Sequence, residues 1–156
     1  LKVRWTDFQQ VFATPVIDVC LPIHLGISGP DKAMAELKLA PRWTEENTRL
    51  FGKCNNPNWH GHNYVLEVSV TGEPDPRTGY VVDLGEVKRI VEAEFVSHVD
   101  HRNLNLEVPF LQGTNPTSEN IILACWRRLE PALRPGRLSR LRLWETENNY
   151  VEYDGR

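Results

Sequence analysis

Cysteine is scarce in this chain, which has only Cys20, Cys54 and Cys125. An odd set without any C-x-x-C spacing argues against a disulfide framework and a thiolate zinc knuckle, and fits a reducing compartment. Long apolar runs are missing as well. No stretch approaches the ~20 residues of a transmembrane helix, and the N-terminus lacks the charged, apolar and small-residue order of a signal peptide. The expectation is a cytoplasmic protein that makes no contact with a membrane. Excess positive charge is also absent: a net charge of −3 and a pI near 6.0 leave no global electrostatic reason to bind nucleic acid. No internal repeat or low-complexity tract is present.

What is there is the composition of a soluble globular protein, 40% hydrophobic and 25% charged over 156 residues. A chain of that length suits one domain and needs neither a disulfide nor a structural metal to hold it together. Any bound metal is therefore expected to serve function. Arg127, Arg128, Arg134, Arg137, Arg140 and Arg142 crowd a C-terminal stretch. They read as solvated surface, and the functional alternative is attraction for a polyanion such as a triphosphate.

Periodicity locates the elements. Between Asn63 and Gly72 the residues Tyr64, Leu66, Val68 and Val70 alternate with Glu67, Ser69 and Thr71, the pattern of a half-buried strand. The turn formers Glu73-Pro-Asp-Pro-Arg-Thr-Gly79 follow, and Tyr80-Val-Val-Asp83 then reads as a returning strand of a hairpin. Leu84, Val87, Ile90, Val91 and Phe95 recur at helical spacing over 84–96. A second helix starts near Asn115-Pro-Thr117, carries Ile121, Cys125, Leu129 and Leu133 on one face, and ends at Pro135-Gly136. Two strands follow: one runs from Leu138 to Glu145 with Leu141, Leu143 and Glu145 on one face, and the other is Tyr150-Val-Glu-Tyr153. Strand, strand, helix, helix, strand, strand implies an α+β domain with helices on one face of a sheet. In residues 1–43, Pro15, Pro22, Gly26, Gly29, Pro30 and Pro41 break every pattern. This part reads as irregular or inserted, with a strand at 5–13 and a short helix at 31–39 as its only candidate elements.

Three constellations carry chemistry. The most specific is Phe51-Gly-Lys-Cys54-Asn-Asn-Pro-Asn-Trp59-His60-Gly-His62-Asn-Tyr64. Side chains at i and i+2 of a strand point the same way, so His60 and His62 share the buried face of Tyr64 and Leu66. Two neutral imidazoles converging in a partly desolvated place suit zinc; the alternative is a hydrogen-bonded pair near a strand end. Cys54 lies beside Lys53 in a loop where a further cation would stabilise its thiolate, whereas Cys125 on a helical apolar face reads as core. The second constellation is Asp100-His101, an acid adjacent to an imidazole in a loop, for which simple solvation is the alternative. The third joins Asn115-Pro-Thr117-Ser118-Glu119-Asn120 with Glu145. A carboxylate at the end of an apolar strand face needs a partner. The paired N–H donors of a 2-amino-4-oxo ring would supply one, as would an arginine.

Together these motifs resemble the 6-pyruvoyl-tetrahydropterin synthase and 6-carboxytetrahydropterin synthase family over residues 44–153, with 1–43 a divergent N-terminal part of the same single domain. The carriers are Glu45-Glu46-Asn47, the Cys54 loop, His60-Gly-His62-Asn-Tyr64, Asp100-His101 with Leu104-Asn105, Pro116-Thr-Ser-Glu-Asn120 and Glu145-Thr-Glu-Asn-Asn149. The resemblance implies a tunnelling fold (T-fold), in which an antiparallel four-stranded sheet carries two helices on one face and oligomerises into a barrel as a trimer or hexamer. Active sites in the family lie between subunits. It further implies Zn2+ on His60 and His62, Cys54 as base, and Asp100 with His101 as proton relay. Glu145, Thr117, Ser118 and Glu119 would bind the pterin. The implied activity is a carbon–oxygen lyase that eliminates triphosphate from 7,8-dihydroneopterin triphosphate. Alternatives are the carboxy branch, which belongs to queuosine precursor synthesis, an aldol cleavage of the side chain, and a zinc- or pterin-binding homologue without turnover.

The chain departs from the family at the third zinc ligand, a histidine in an early motif like Phe-Ala-Ala-His. Here Phe12-Ala13 continues as Thr14-Pro15, and His24, the sole histidine of the N-terminal part, is the candidate third ligand; the alternatives are an incidental surface histidine and a degraded N-terminus. Trp59 also stands where a small residue is expected before His60.

Overall fold

The structure, a computed structural model, describes residues 17–25, 33–35, 44–56 and 58–156. Its centre is a four-stranded antiparallel sheet in the order β1-β4-β5-β6, formed by β1 (Ile17–Leu25), β4 (Tyr64–Gly72), β5 (Arg137–Trp144) and β6 (Tyr150–Tyr153). A separate two-stranded ribbon pairs β2 (Ala33–Ala35) with β3 (His60–His62). The helices are α1 (Thr44–Phe51), α2 (Leu84–Val91), α3 (Ser97–Val99) and α4 (Ser118–Ala132). A π-helical turn, Glu92–Val96, joins α2 to α3. Among the described residues no helix is long and apolar enough to cross a membrane.

One apolar layer holds the sheet to the helices. Leu66, Val68, Val70, Leu141 and Leu143 from the sheet meet Val87, Val91 and Phe95 on one side and Ile121, Cys125 and Leu129 on the other, all nearly inaccessible to solvent. The expected arrangement of a four-stranded antiparallel sheet with two helical segments on one face is therefore present. Strict alternation along β5 would put Leu138 on the face opposite Leu141, yet both are buried. The register shifts between Ser69 and Val70, so that Ser69 faces Arg140 while Val70 faces Leu138. That bulge takes up one residue and turns Leu138 inward. On the far face Glu67, Arg142 and Glu152 stand in one cross-strand row. Arg142 donates to Glu152 from Nε at 2.9 Å and Nη2 at 2.7 Å, and stacks over Tyr150 at 4.9 Å.

Two local expectations are corrected. Residues 80–83 form no returning strand. The turn at 75–79 closes on Asp75, whose N–H donates to the Tyr80 carbonyl at 2.9 Å. Asp83 is the N-cap of α2, its carboxylate accepting from the Gly85 N–H at 2.7 Å. Capping the helix leaves too little chain to build a ladder. The short helix expected at 31–39 is strand at Ala33–Ala35, where pairing with His60–His62 outweighs local propensity. The fourth strand is instead β1, in the stretch read as irregular, and the strand suggested at 5–13 lies outside the described residues.

The turn before β5 sets a stability prediction. Gly136 has φ +94°, and a Cβ there would sit 2.9 Å from Cγ1 of Val70, which is itself buried. Gly136→Ala is expected to lower unfolding free energy by ~1–3 kcal/mol, measured by urea denaturation; an unchanged midpoint would contradict the packing described here.

Candidate active site

The chain reaches the site along a tight path. After α1, a 3-10 turn (Gly52–Cys54) opens at Gly52, whose φ of +52° suits glycine, and ends on Cys54. The Asn56 side chain accepts from the Asn58 N–H at 2.8 Å, its carbonyl accepts from the Trp59 N–H at 2.9 Å, and the chain enters β3. Trp59 itself sits at φ +60°. A side chain there is strained by roughly 1–2 kcal/mol, so the residue that departs from expectation is also one the backbone holds in an unfavourable conformation.

His60 and His62 emerge side by side, as strand alternation requires, with ring centroids 4.9 Å apart and planes near perpendicular. Nδ1 of His60 is buried and has no hydrogen-bond partner among the described residues, and Nε2 of His62 lies 3.6 Å from a Glu145 oxygen. A buried imidazole nitrogen without a partner is costly unless something binds it, and a divalent cation is what such a nitrogen prefers. Among the described residues no three side chains of His, Cys, Asp or Glu converge closely enough to hold a metal. The chemistry of two neighbouring imidazoles is compatible with a divalent cation such as zinc. His24 is described through its backbone, where it stands opposite Val65 in the β1–β4 register.

Below the pair lies a cavity of about 450 Å³, lined by Cys54, His60, Tyr64, Thr117, Ser118 and Glu145 among others. Glu119 lines it too. Residues from a 3-10 turn, a ribbon, a strand, a helix start and a strand end meet here. Glu145 arrives because its N–H donates to the Asn149 carbonyl at 2.9 Å, which prolongs the β5–β6 ladder past Trp144 and holds its side chain at the sheet end. Ser118 and Glu119 arrive because Thr117 caps α4, accepting from the Asn120 N–H, while the Asn120 side chain donates to the Asn115 carbonyl at 2.9 Å. Glu145 and His62 also line a second cavity of about 670 Å³ with Val65 and Trp144.

Asp100 and His101 are not brought to this cavity within one chain. They form their own pair, with Nδ1 of the exposed His101 3.1 Å from the carboxylate of the half-buried Asp100. His101 has φ +58°, a second strained non-glycine residue at a candidate position. None of the six C-terminal arginines lines the Cys54 cavity. Arg128 donates to the Glu94 carbonyl in the π-helical turn and sits over Phe110 at 4.8 Å, and Arg142 belongs to the row on the far face.

Among the cavity residues that escaped the sequence reading is a buried tyrosine. Tyr64 is 4% exposed, and its ring is 5.8 Å from that of His62. Burial first, then the charges of Glu145 and Cys54, push its hydroxyl well above the ordinary tyrosine range. It therefore stays protonated. The signal was its position, two residues beyond His62 on the same face. Cys125, by contrast, is core, and burial pushes its thiol up.

Comparison with known proteins places the family and the fold. The family model described as 6-pyruvoyl tetrahydropterin synthase matches residues 33–156 and so begins beyond His24. A 6-pyruvoyl tetrahydrobiopterin synthase of Homo sapiens is 45% identical over 111 residues, 71% of this chain and 77% of that protein. The solved structure of the Caenorhabditis elegans 6-pyruvoyl tetrahydropterin synthase superposes with a TM-score of 0.82 at 34% identity, covering 94% of this chain and 100% of that one. A dihydroneopterin monophosphate aldolase of Pyrococcus furiosus is 42% identical over 97 residues, 61% of this chain and 77% of that protein.

Proposed function

The chain belongs to the 6-pyruvoyl tetrahydropterin synthase family, and from that premise we propose that it is a zinc-dependent lyase converting 7,8-dihydroneopterin triphosphate to 6-pyruvoyl-tetrahydropterin and triphosphate. The observation that carries this reading is the joining of Cys54, His60 and Glu145 on one cavity large enough for a bicyclic ring.

Each residue has a task. The Glu145 carboxylate accepts the two N–H donors on the amino-pyrimidine edge, and the α4 start, Thr117 to Glu119, borders the ring. His60 and His62 would hold zinc, which when bound supplies Lewis acidity to the side-chain hydroxyls and so to the adjacent C–H bonds. Cys54 takes a side-chain proton as base. The C–O bond to triphosphate breaks, the side chain becomes a diketone, and the ring gains the hydrogens that take it from dihydro to tetrahydro. Oxidation and reduction balance within the one molecule. Asp100 and His101, away from the cavity of their own chain, act as proton relay at the cavity of a neighbouring subunit, which requires a homo-oligomer. Incubation with 7,8-dihydroneopterin triphosphate tests the proposal: release of inorganic triphosphate supports it, and a pterin that keeps its phosphates contradicts it.

His24 is proposed as the third zinc ligand. If it is, His24→Ala should remove zinc at equilibrium, read as zinc per chain after dialysis, and full retention would refute the assignment. The aldolase relative favours a second reading, cleavage of the side-chain carbon–carbon bond with glycolaldehyde as product.

A further inference from the structure

His101, beside Asp100, is held at φ +58°. A strained residue of this kind persists only where its surroundings hold it. The loop that carries the pair, 100–108, supplies part of that hold. Its middle is one piece: the Asn103 N–H donates to the Glu107 carboxylate at 2.6 Å, the Glu107 N–H donates to the Asn103 carbonyl at 2.8 Å, and Leu104 and Val108 are buried. Its stems are the π-helical turn Glu92–Val96 with α3 on one side and a 3-10 turn, Pro109–Leu111, on the other. The Asp100 N–H donates to the Val96 carbonyl at 2.9 Å, so the pair follows directly from the π-helical turn.

Arg128 of α4 touches both stems. Its Nε donates to the Glu94 carbonyl in the π-helical turn, and its Nη2 lies 3.4 Å from the Glu94 carboxylate and 3.5 Å from Nε2 of His98. On its other side the guanidinium sits over the Phe110 ring at 4.8 Å, and that ring meets His98 edge to face with centroids 6.1 Å apart. The local backbone invites such a partner. A π turn moves the carbonyl–amide pairing of the helix by one residue, and here two successive carbonyls take side-chain donors, Ala93 from Ser97 Oγ at 3.4 Å and Glu94 from Arg128. A planar fork of donors lets one guanidinium hold a carbonyl, a carboxylate and an aromatic face at once.

We propose that Arg128 is a positioning residue for the Asp100–His101 pair: by clamping the π-helical turn to the 3-10 turn it fixes both ends of the loop, and with them where the pair is presented to the cavity of a neighbouring subunit. The proposal rests on the functional reading above, in which that pair relays a proton. A misplacement of about 1 Å costs up to ~10²-fold in rate, so a clamp at the stems is enough to matter.

Arg128→Met keeps an unbranched stem and removes the fork, and Arg128 is no member of the apolar layer, so the fold should survive. The expected result is a kcat for triphosphate release lower by ~10–10²-fold, with KM within about threefold and zinc per chain unchanged. Arg128→Lys, which keeps the cation and one donor, should recover part of the loss. In a His101→Ala background Arg128→Met should cost less than about twofold more, because the clamp acts through the residue already removed. Losses that multiply there, or a kcat for Arg128→Met within about twofold of the parent, would overturn the positioning role. Hydrogen exchange supplies a readout independent of turnover: the amides of 98–103 should exchange faster in Arg128→Met, while those of central β4 should not change. If the parent protein releases no triphosphate, or His101→Ala keeps full activity, it is the functional reading that fails. Exchange at 98–103 then judges the clamp alone, with faster exchange supporting it and unchanged exchange overturning it.

Discussion

Replacing Cys54 by alanine is expected to lower kcat for triphosphate release by ~10²–10⁴-fold, the range ascribed to one well-placed general base, while leaving bound zinc and the folded state intact. Cys54 is partly exposed at the end of a 3-10 turn and lines the same cavity as His60 and Glu145. The turn is built from backbone contacts, Gly52 at φ +52° and the Asn55 N–H on the Gly52 carbonyl at 3.2 Å, so losing the thiol does not disturb it. Cys125, the other cysteine whose side chain is described, is core and cannot substitute. Cys54→Ser is expected to fall close to the alanine variant, since a hydroxyl is a far weaker acid than a thiol. Zinc content decides between two roles. If zinc leaves together with the activity, Cys54 is a ligand and the base must be sought elsewhere.

His60→Ala and His62→Ala form the second large effect. Each is expected to lose most of its zinc after dialysis and to lower triphosphate release by at least ~10³-fold. The Nδ1 of His60, buried without a partner among the described residues, and the rings 4.9 Å apart are the physical basis. The apolar layer between sheet and helices lies outside the ribbon, so circular dichroism should show both variants folded. Variants that keep zinc at one per chain would mean that the pair is a structural contact.

How much of this was legible in the sequence depends on where each element sits. Buried strands and amphipathic helices announce themselves: the alternation of Tyr64, Leu66, Val68 and Val70 and the spacing of Ile121, Cys125 and Leu129 lead directly to the core the structure shows. β1 did not, because Pro22 and the nearby breakers argue against a strand. Proline is tolerated on an edge strand, and β1 is an edge, with Pro22 opposite Glu67. Only the tertiary arrangement reveals that exemption. The ribbon strand Ala33–Ala35 was hidden for a related reason, since a three-residue pairing is too short to imprint a period on its sequence.

The site divides the same way. His60 and His62 follow from a local rule, i and i+2 on one strand. That Cys54, Ser118 and Glu145 meet them is a non-local fact that spacing does not give; the motifs named the residues, and the fold assembled them. Tyr64 was visible as a core position but not as part of the cavity, because Ser118, which lines the same cavity, comes from a helix more than fifty residues away. Asp100 and His101 are the converse, a pair that the single chain leaves on its surface.

The measurement that bears most directly on the central claim is the mass spectrum of the pterin formed from 7,8-dihydroneopterin triphosphate by the zinc-loaded protein. The account predicts the diketone 6-pyruvoyl-tetrahydropterin, with free triphosphate in equal amount and no carbon lost from the side chain. A pterin shortened by two carbons, with glycolaldehyde or acetaldehyde in solution, or a substrate recovered unchanged, would contradict it.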